Sequence, residues 1–191
     1  MIKKITQQIS ASIAVKEAMF DSCIEDIQAA ALLMIDSIRK DGKILWCGNG
    51  GSAADAQHLA TELMGGMTSH ERRPIPSIAL TTDSSFLTAW SNDTDFESIF
   101  SRQIQGLGKT GDVLIGISTS GNSENVLAAV KQAKYRELST IVFTGRSGGK
   151  INGISDVTIN IPSEDTQRIQ EAHIMVGQIL CGLIEDDLLD E

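Results

Sequence analysis

The chain has 191 residues, of which 41% are hydrophobic and 21% charged, with a formal net charge of -9. That length supports one domain with a full-sized core. The acidic balance argues against direct nucleic-acid binding, which needs a basic face, but leaves room for a small anionic ligand, since a few N–H groups and cations dominate a pocket. The three cysteines, Cys23, Cys47 and Cys181, are widely spaced and lack any Cys-x-x-Cys pairing. They read as reduced, mostly buried thiols. Met1-Ile-Lys-Lys-Ile-Thr6 lacks the apolar core of a secretory leader, and no apolar run is long enough to span a bilayer. A cytoplasmic protein without membrane or nucleic-acid partners is expected.

From about Ile5 to Lys40 there is neither Pro nor Gly, and apolar residues recur at helical spacing, which predicts two helices with a break near Asp21. After Asp41-Gly42 the pattern changes. Lys43–Cys47 is a short apolar strand that empties into Gly48-Asn-Gly-Gly-Ser52, and Ala53–Met64 follows as a helix. Gly65–Pro76 reads as a polar loop. Further strands are expected over Pro76–Thr81, Val113–Ile117, Thr140–Thr144 and Val157–Ile161, with helical segments between most of them. Glu164 to about Leu188 closes the chain as one long helix. Alternating strands and helices imply an α/β protein whose parallel sheet is covered on both faces.

The chemistry concentrates at four places. In the first, Val113–Ile117 breaks into Ser118-Thr-Ser-Gly-Asn-Ser123 just before a helix over Glu124–Lys134. A loop of hydroxyls and unpaired N–H groups at a positive helix end binds phosphate. It has no Walker-type Lys, so a nucleoside triphosphate fits poorly, and a small sugar phosphate fits well. In the second, Gly48–Ser52 is a similar strand-to-helix loop, where glycine permits positive φ, Asn49 offers an amide, and Ser52 is placed to cap the helix. In an open parallel sheet both loops lie beyond the carboxyl ends of the strands, where ligands bind. In the third, His58 and Glu62 stand four apart on the helix that begins at this loop, and so share a face. A carboxylate beside an imidazole suits a general base or two ligands of a divalent metal, and equally an ordinary surface pair. In the fourth, Arg168-Ile-Gln-Glu-Ala-His173, with Gly177 and Gln178, puts polar groups on an otherwise apolar helical stripe; His173 is expected to be a satisfied core residue. Ser91-Asn92-Asp93 fits either a turn or a contact to sugar hydroxyls.

Together, Cys47-Gly-Asn-Gly-Gly-Ser52, His58-x-x-x-Glu62, Asn92-Asp93, Gly116-Ile-Ser-Thr-Ser-Gly-Asn-Ser123 and Arg168-Ile-Gln-Glu171 resemble the bacterial phosphoheptose isomerases, members of the sugar isomerase (SIS) family, along nearly the whole chain. The resemblance implies a single SIS domain over residues 1–191: a five-stranded parallel sheet flanked by helices, with 1–40 as an N-terminal helical oligomerisation segment and a long C-terminal helix. It implies a homotetramer with active sites at subunit interfaces. The reaction would interconvert sedoheptulose 7-phosphate and D-glycero-D-manno-heptose 7-phosphate through an enediol, as the first step toward ADP- or GDP-heptose for lipopolysaccharide core or surface glycans. By the same resemblance Ser118, Thr119, Ser120 and Ser123 hold phosphate. Asn49, Gly50, Gly51, Ser52, Asn92, Asp93 and Gln170 contact substrate, and Glu62 is the base. One zinc per subunit would be held by His58, Glu62, Gln170 and the residue at 178.

The chain departs from the family pattern at that last position. Where the family usually carries a His that is both acid/base partner and zinc ligand, this chain has Gln178, which does not titrate near neutral pH and is the weaker ligand. The position four after the base, often Arg in the family, is Gly66, so a cationic substrate contact is sought at Arg72 or Arg73. Gln167 stands where some members have an acidic contact. These losses raise a rival reading: a non-catalytic SIS tetramer that binds the replication initiator, a relative that lacks both the Glu and the late His. Retention of Glu62 and His58 favours the enzyme.

Overall fold

A computed structural model describes residues 1–189. Helices α1 (Ile2–Ser22) and α2 (Ile24–Arg39) precede β1 (Ile44–Gly48), α3 (Gly51–Gly65), β2 (Ser77–Ala79), α4 (Ser84–Asp93), α5 (Ile99–Leu107) and β3 (Val113–Ile117). Then come α6 (Glu124–Tyr135), β4 (Ser139–Thr144), a single 3₁₀ turn at Gly149–Ile151, β5 (Val157–Asn160) and α7 (Thr166–Leu189). The break between the first two helices falls at Cys23, two residues beyond the expected Asp21; Cys23 is buried there, its thiol near the carbonyl of Asn160. The segment expected as a strand over Pro76–Thr81 pairs only over Ser77–Ala79. Two helices, α4 and α5, fill the interval before β3, and α4 has no buried residue at all.

All five strands are parallel, in the order β2-β1-β3-β4-β5. The strands are buried end to end in β1 and β3 because helices cover both faces. The pleat divides their side chains. Ile44, Trp46, Val113, Ile115, Ile141 and Phe143 face α2, α3 and α7, while Leu45, Cys47, Leu114 and Val142 face α5 and α6. Trp46 is fully buried, its indole N–H donating to Ser77 Oγ at 2.9 Å, as a buried indole requires. The three thiols are free and buried, as expected, and burial pushes Cys47 and Cys181 up to about 12, which makes them inert. Among the described residues no helix is long and apolar enough to cross a membrane.

This strand order fixes where a ligand sits. From β1 the chain winds outward through α3 to β2, then returns to β3 on the other side of β1 and winds the opposite way through α6 to β4. The loops leaving β1 and β3 therefore diverge from adjacent strands, and a crevice opens between them. The two ligand loops read from the sequence are these two loops.

Candidate functional site

Asn49 and Asn125 bridge the crevice with two reciprocal amide hydrogen bonds of 2.8 and 2.9 Å. The Asn49 amide, expected at substrate, thus ties the first loop to the start of α6. Gly50, at φ 57°, is the N-cap of α3, and the helix begins at Gly51. Ser52 therefore lies inside the first turn and, contrary to expectation, does not cap it; the residue is buried against the loop. A Cβ at Gly51 would come within 2.6 Å of Gln170 Nε2, so only glycine lets this late-helix amide lie against the first loop.

In the second loop Ser118 is buried, and its hydroxyl meets that of Ser123 at 3.0 Å across the mouth of α6. Ser123 is the N-cap of α6 with no side-chain cap bond of its own; the Val126 amide donates to Asn125 Oδ1 at 2.9 Å, and the amides of Glu124 and Asn125 ahead of it are the ones placed for an anion. Gly121, at φ 64°, packs its α-carbon on the carbonyl of Gly148, where a Cβ would stand 2.0 Å away. Thr119 and Ser120 open onto a cavity of about 220 Å³ that also takes in Asn122, Arg146, Ser163 and Thr166. Arg146 is a site residue that the sequence reading misses. It belongs to Thr144-Gly-Arg-Ser-Gly-Gly149, a third strand-end loop rich in glycine, and that composition is the available signal. One of its guanidinium nitrogens donates to Pro162 O at 2.8 Å. Of the two cations that the sequence offers for substrate, Arg72 is withdrawn, its side chain 3% exposed and ion-paired to Glu185, whereas Arg73 is exposed.

The carboxylate–imidazole pair forms as the helical spacing predicts. Glu62 Oε1 lies 2.9 Å from His58 Nε2, and Gln178 Nε2 approaches the same ring nitrogen at 3.1 Å. Gly177 makes that approach possible, since its missing side chain leaves room for Leu59, whose Cδ1 would be 2.3 Å from a Cβ. Helix α7 therefore closes on α3 through the residue before Gln178 and the residue after His58. The two contacts compete for one ring nitrogen. A proton on Nε2 serves Glu62 but then faces the Gln178 amide protons; a lone pair on Nε2 serves Gln178 and leaves Glu62 without a donor. Turning the Gln178 amide over would let its Oε1 share the Nε2 proton with Glu62, and a divalent cation would satisfy the same three groups. The cation would take the Nε2 lone pair, the Glu62 oxygen and, with the amide turned over, Gln178 Oε1. The donor set thus fits a metal at three positions. Gln170 makes no hydrogen bond to the trio and lies against Gly51 instead. Among the described residues no group of three His, Cys, Asp or Glu side chains is placed to bind metal, so any such site draws on amide oxygen. Asp55, one turn before His58, carries no motif that marks it in the sequence; burial raises its carboxyl pKa, and the nearby His58 offsets this only in part.

His173 is fully buried, as expected, with Nε2 donating to Thr144 O at 3.1 Å and its ring tilted against Phe143. Its Nδ1 has no partner, so the polar group is only half satisfied. Asn92 and Asp93 end α4 rather than forming a turn, and on the surface there the Asn92 amide donates to Asp93 Oδ1 at 2.8 Å.

A doubly wound sheet with hydroxyl-rich loops at its switch point defines a class, and the SIS domain model matches residues 8–145; the chain belongs to that family. Its relatives identify the branch. A phosphoheptose isomerase from Aquifex aeolicus is 49% identical over 97% of this chain and 97% of its own. The structure of phosphoheptose isomerase GmhA from Neisseria gonorrhoeae superposes with a TM-score of 0.91 at 45% identity, covering 96% of this chain and 98% of that one. A phosphoheptose isomerase from Francisella tularensis gives 0.93 at 37% identity, covering 97% and 98%. Within the SIS family the chain is a member of the phosphoheptose isomerases.

Proposed function

We propose that this protein interconverts sedoheptulose 7-phosphate and D-glycero-D-manno-heptose 7-phosphate through an enediol. The observation that carries the reading is the Glu62 carboxylate, held beside the His58 imidazole on the helix that starts at the first strand-end loop. Phosphate is bound by Ser118, Thr119, Ser120 and Ser123 and by the amides at the start of α6, and the sugar lies toward Ser52, Gln170 and Glu62. Glu62 removes the proton from the hydroxyl-bearing carbon next to the carbonyl and returns it to the former carbonyl carbon, while the hydroxyl proton passes between the two adjacent oxygens of the enediol, so that the carbonyl moves along the chain. Gln178 cannot carry a proton, so it orients the His58 ring and the enediol oxygens by hydrogen bonding.

A zinc ion at His58, Glu62 and Gln178, with Gln170 as a further donor, would polarise the carbonyl oxygen as a Lewis acid. A homotetramer with sites at subunit interfaces is supported by an exposed apolar stripe on α1, where Ile2, Ile5, Ile9 and Ile13 all lie more than half exposed, and by exposed Ile24, Leu32, Ile179 and Leu183, which line a groove between α2 and α7. The reaction would open ADP- or GDP-heptose synthesis for lipopolysaccharide core or surface glycans, in the cytoplasm. The replication-initiator-binding alternative is not favoured, because the base and its imidazole neighbour survive in contact.

The test is conversion of sedoheptulose 7-phosphate, followed by NMR, with chelated and zinc-reloaded protein side by side. Product that depends on zinc and vanishes in Glu62→Gln is expected. No conversion by a folded wild type in either sample would remove the isomerase reading, and conversion unaffected by chelation would remove the zinc.

A further inference from the structure

Helix α7 carries a buried charge that the proposed reaction does not use. Glu185, 1% exposed, accepts hydrogen bonds from the backbone N–H groups of Met67 at 2.8 Å, Thr68 at 2.6 Å and Ser69 at 2.8 Å, and from the Thr68 hydroxyl. Three successive amides converging on one anion form a nest, here filled by the protein's own carboxylate. The backbone folds into it through Gly66, at φ 102°, where a Cβ would stand 2.3 Å from Ser69 O. The second carboxylate oxygen takes Arg72 Nε at 2.8 Å.

Arg72 is the hinge of the arrangement. Its three nitrogens serve three different acceptors: Nε binds Glu185, Nη1 binds Arg73 O at 2.9 Å, and Nη2 binds Glu62 O at 2.9 Å. The Glu62 carbonyl also receives Gly66 N–H at 3.0 Å, the bond that ends α3. The last turn of α3 is thereby fixed at the residue whose side chain is the base. We propose that Arg72 and Glu185 are positioning residues for Glu62: they lock the backbone of the final α3 turn so that its carboxylate stays against the His58 ring. This rests on Glu62 being the base of the isomerase reaction. The planar guanidinium is essential, because an ammonium is a single point donor and cannot span Glu185 and the Glu62 carbonyl together.

The deciding variant is Arg72→Lys, which keeps the buried charge beside Glu185 and loses the reach to Glu62. With sedoheptulose 7-phosphate as substrate, kcat is expected to fall by about tenfold to a hundredfold, the cost of a small misplacement of a reacting group. KM should stay within about twofold, since phosphate contacts are untouched, and Tm and oligomeric state should stay near wild type. Wild-type kcat in Arg72→Lys, or a kcat loss that only tracks a falling Tm, would overturn the proposal. The ¹⁵N resonances of the His58 ring give a readout that needs no turnover. They should move in Arg72→Lys as the Glu62 contact changes, and unchanged resonances would also overturn it. Shifted resonances in a protein whose wild type leaves the sugar unconverted would refute the isomerase reading while sustaining the positioning role.

Discussion

Replacing His173 by Phe should remove most of the protein's sensitivity to mild acid. The ring is wholly buried, donates from Nε2 to Thr144 O, and has no acceptor near Nδ1 for a second proton. Burial lowers its pKa from 6.5 to about 4, against a smaller raising effect of the Thr144 bond. In the unfolded chain the imidazole takes its proton near pH 6.5; in the fold it waits until about 4. Between those values the unfolded state binds more protons, so stability falls as pH falls, starting near 6.5 and levelling off below 4. From about pH 7.5 to about 5.0 this one residue costs about 2 kcal/mol, taking about 1.36 kcal/mol per pH unit. Phe keeps the ring packed on Phe143, and Thr144 O keeps its bond from Ile161 N, so the variant need not collapse at neutral pH. Urea unfolding at both pH values and one fixed protein concentration measures the difference. The wild type should lose about 2 kcal/mol more than His173→Phe over that interval; parallel losses would show that the buried imidazole does not control acid stability.

Other outcomes follow from particular contacts. Gln178→His should retain or raise turnover of sedoheptulose 7-phosphate, because an imidazole at that place both titrates and binds metal better; a large loss would mean the site has been rebuilt around the amide. Gly121→Ala should destabilise the fold by more than about 1–2 kcal/mol in urea unfolding, through positive φ and the carbonyl of Gly148 in its way. Arg146→Gln should raise KM for the sugar phosphate severalfold with little change in kcat, as expected for a cation that shares a cavity with Thr119 and Ser120. Glu185→Gln should flatten the loss of stability below about pH 4.3, the ordinary glutamate value. Burial alone would raise this carboxyl, but hydrogen bonds from Thr68, Met67, Arg72 and Ser69 outweigh it and hold it well below the usual range. The stabilisation is therefore complete above that value and is lost as pH falls toward the folded pKa.

Periodicity makes the parallel sheet, the two leading helices and the final helix legible, because buried strands and amphipathic helices write their periods into the chain. The His58–Glu62 contact is legible too, since a spacing of four on one helix leaves little freedom. What stays hidden depends on encounters distant in sequence. Nothing local announces that Arg72 belongs to Glu185, 113 residues later, so its charge reads as available for substrate. Asn49 reads as free for the same reason, its partner Asn125 lying on the next strand's helix. α4 escapes separate notice because it is short and only partly buried, with Leu87 and Trp90 packed on the edge of the core rather than inside it.

Helix α7 is an unbroken run of 24 residues, about 36 Å long at about 1.5 Å per residue. Along it Arg168 reaches the Gln8 carbonyl of α1, Gln170 lies on the first loop, Gln178 meets His58, and Glu185 holds the loop after α3. Such a rod tolerates exchanges of side chain but not changes of count. One residue inserted near Met175 would turn everything beyond it by about 100°, carrying Gln178 and Glu185 off α3 in a single step while Arg168 and Gln170 stayed in place. The side chain at any one rung can therefore change, but the spacing between rungs is the part this fold must keep.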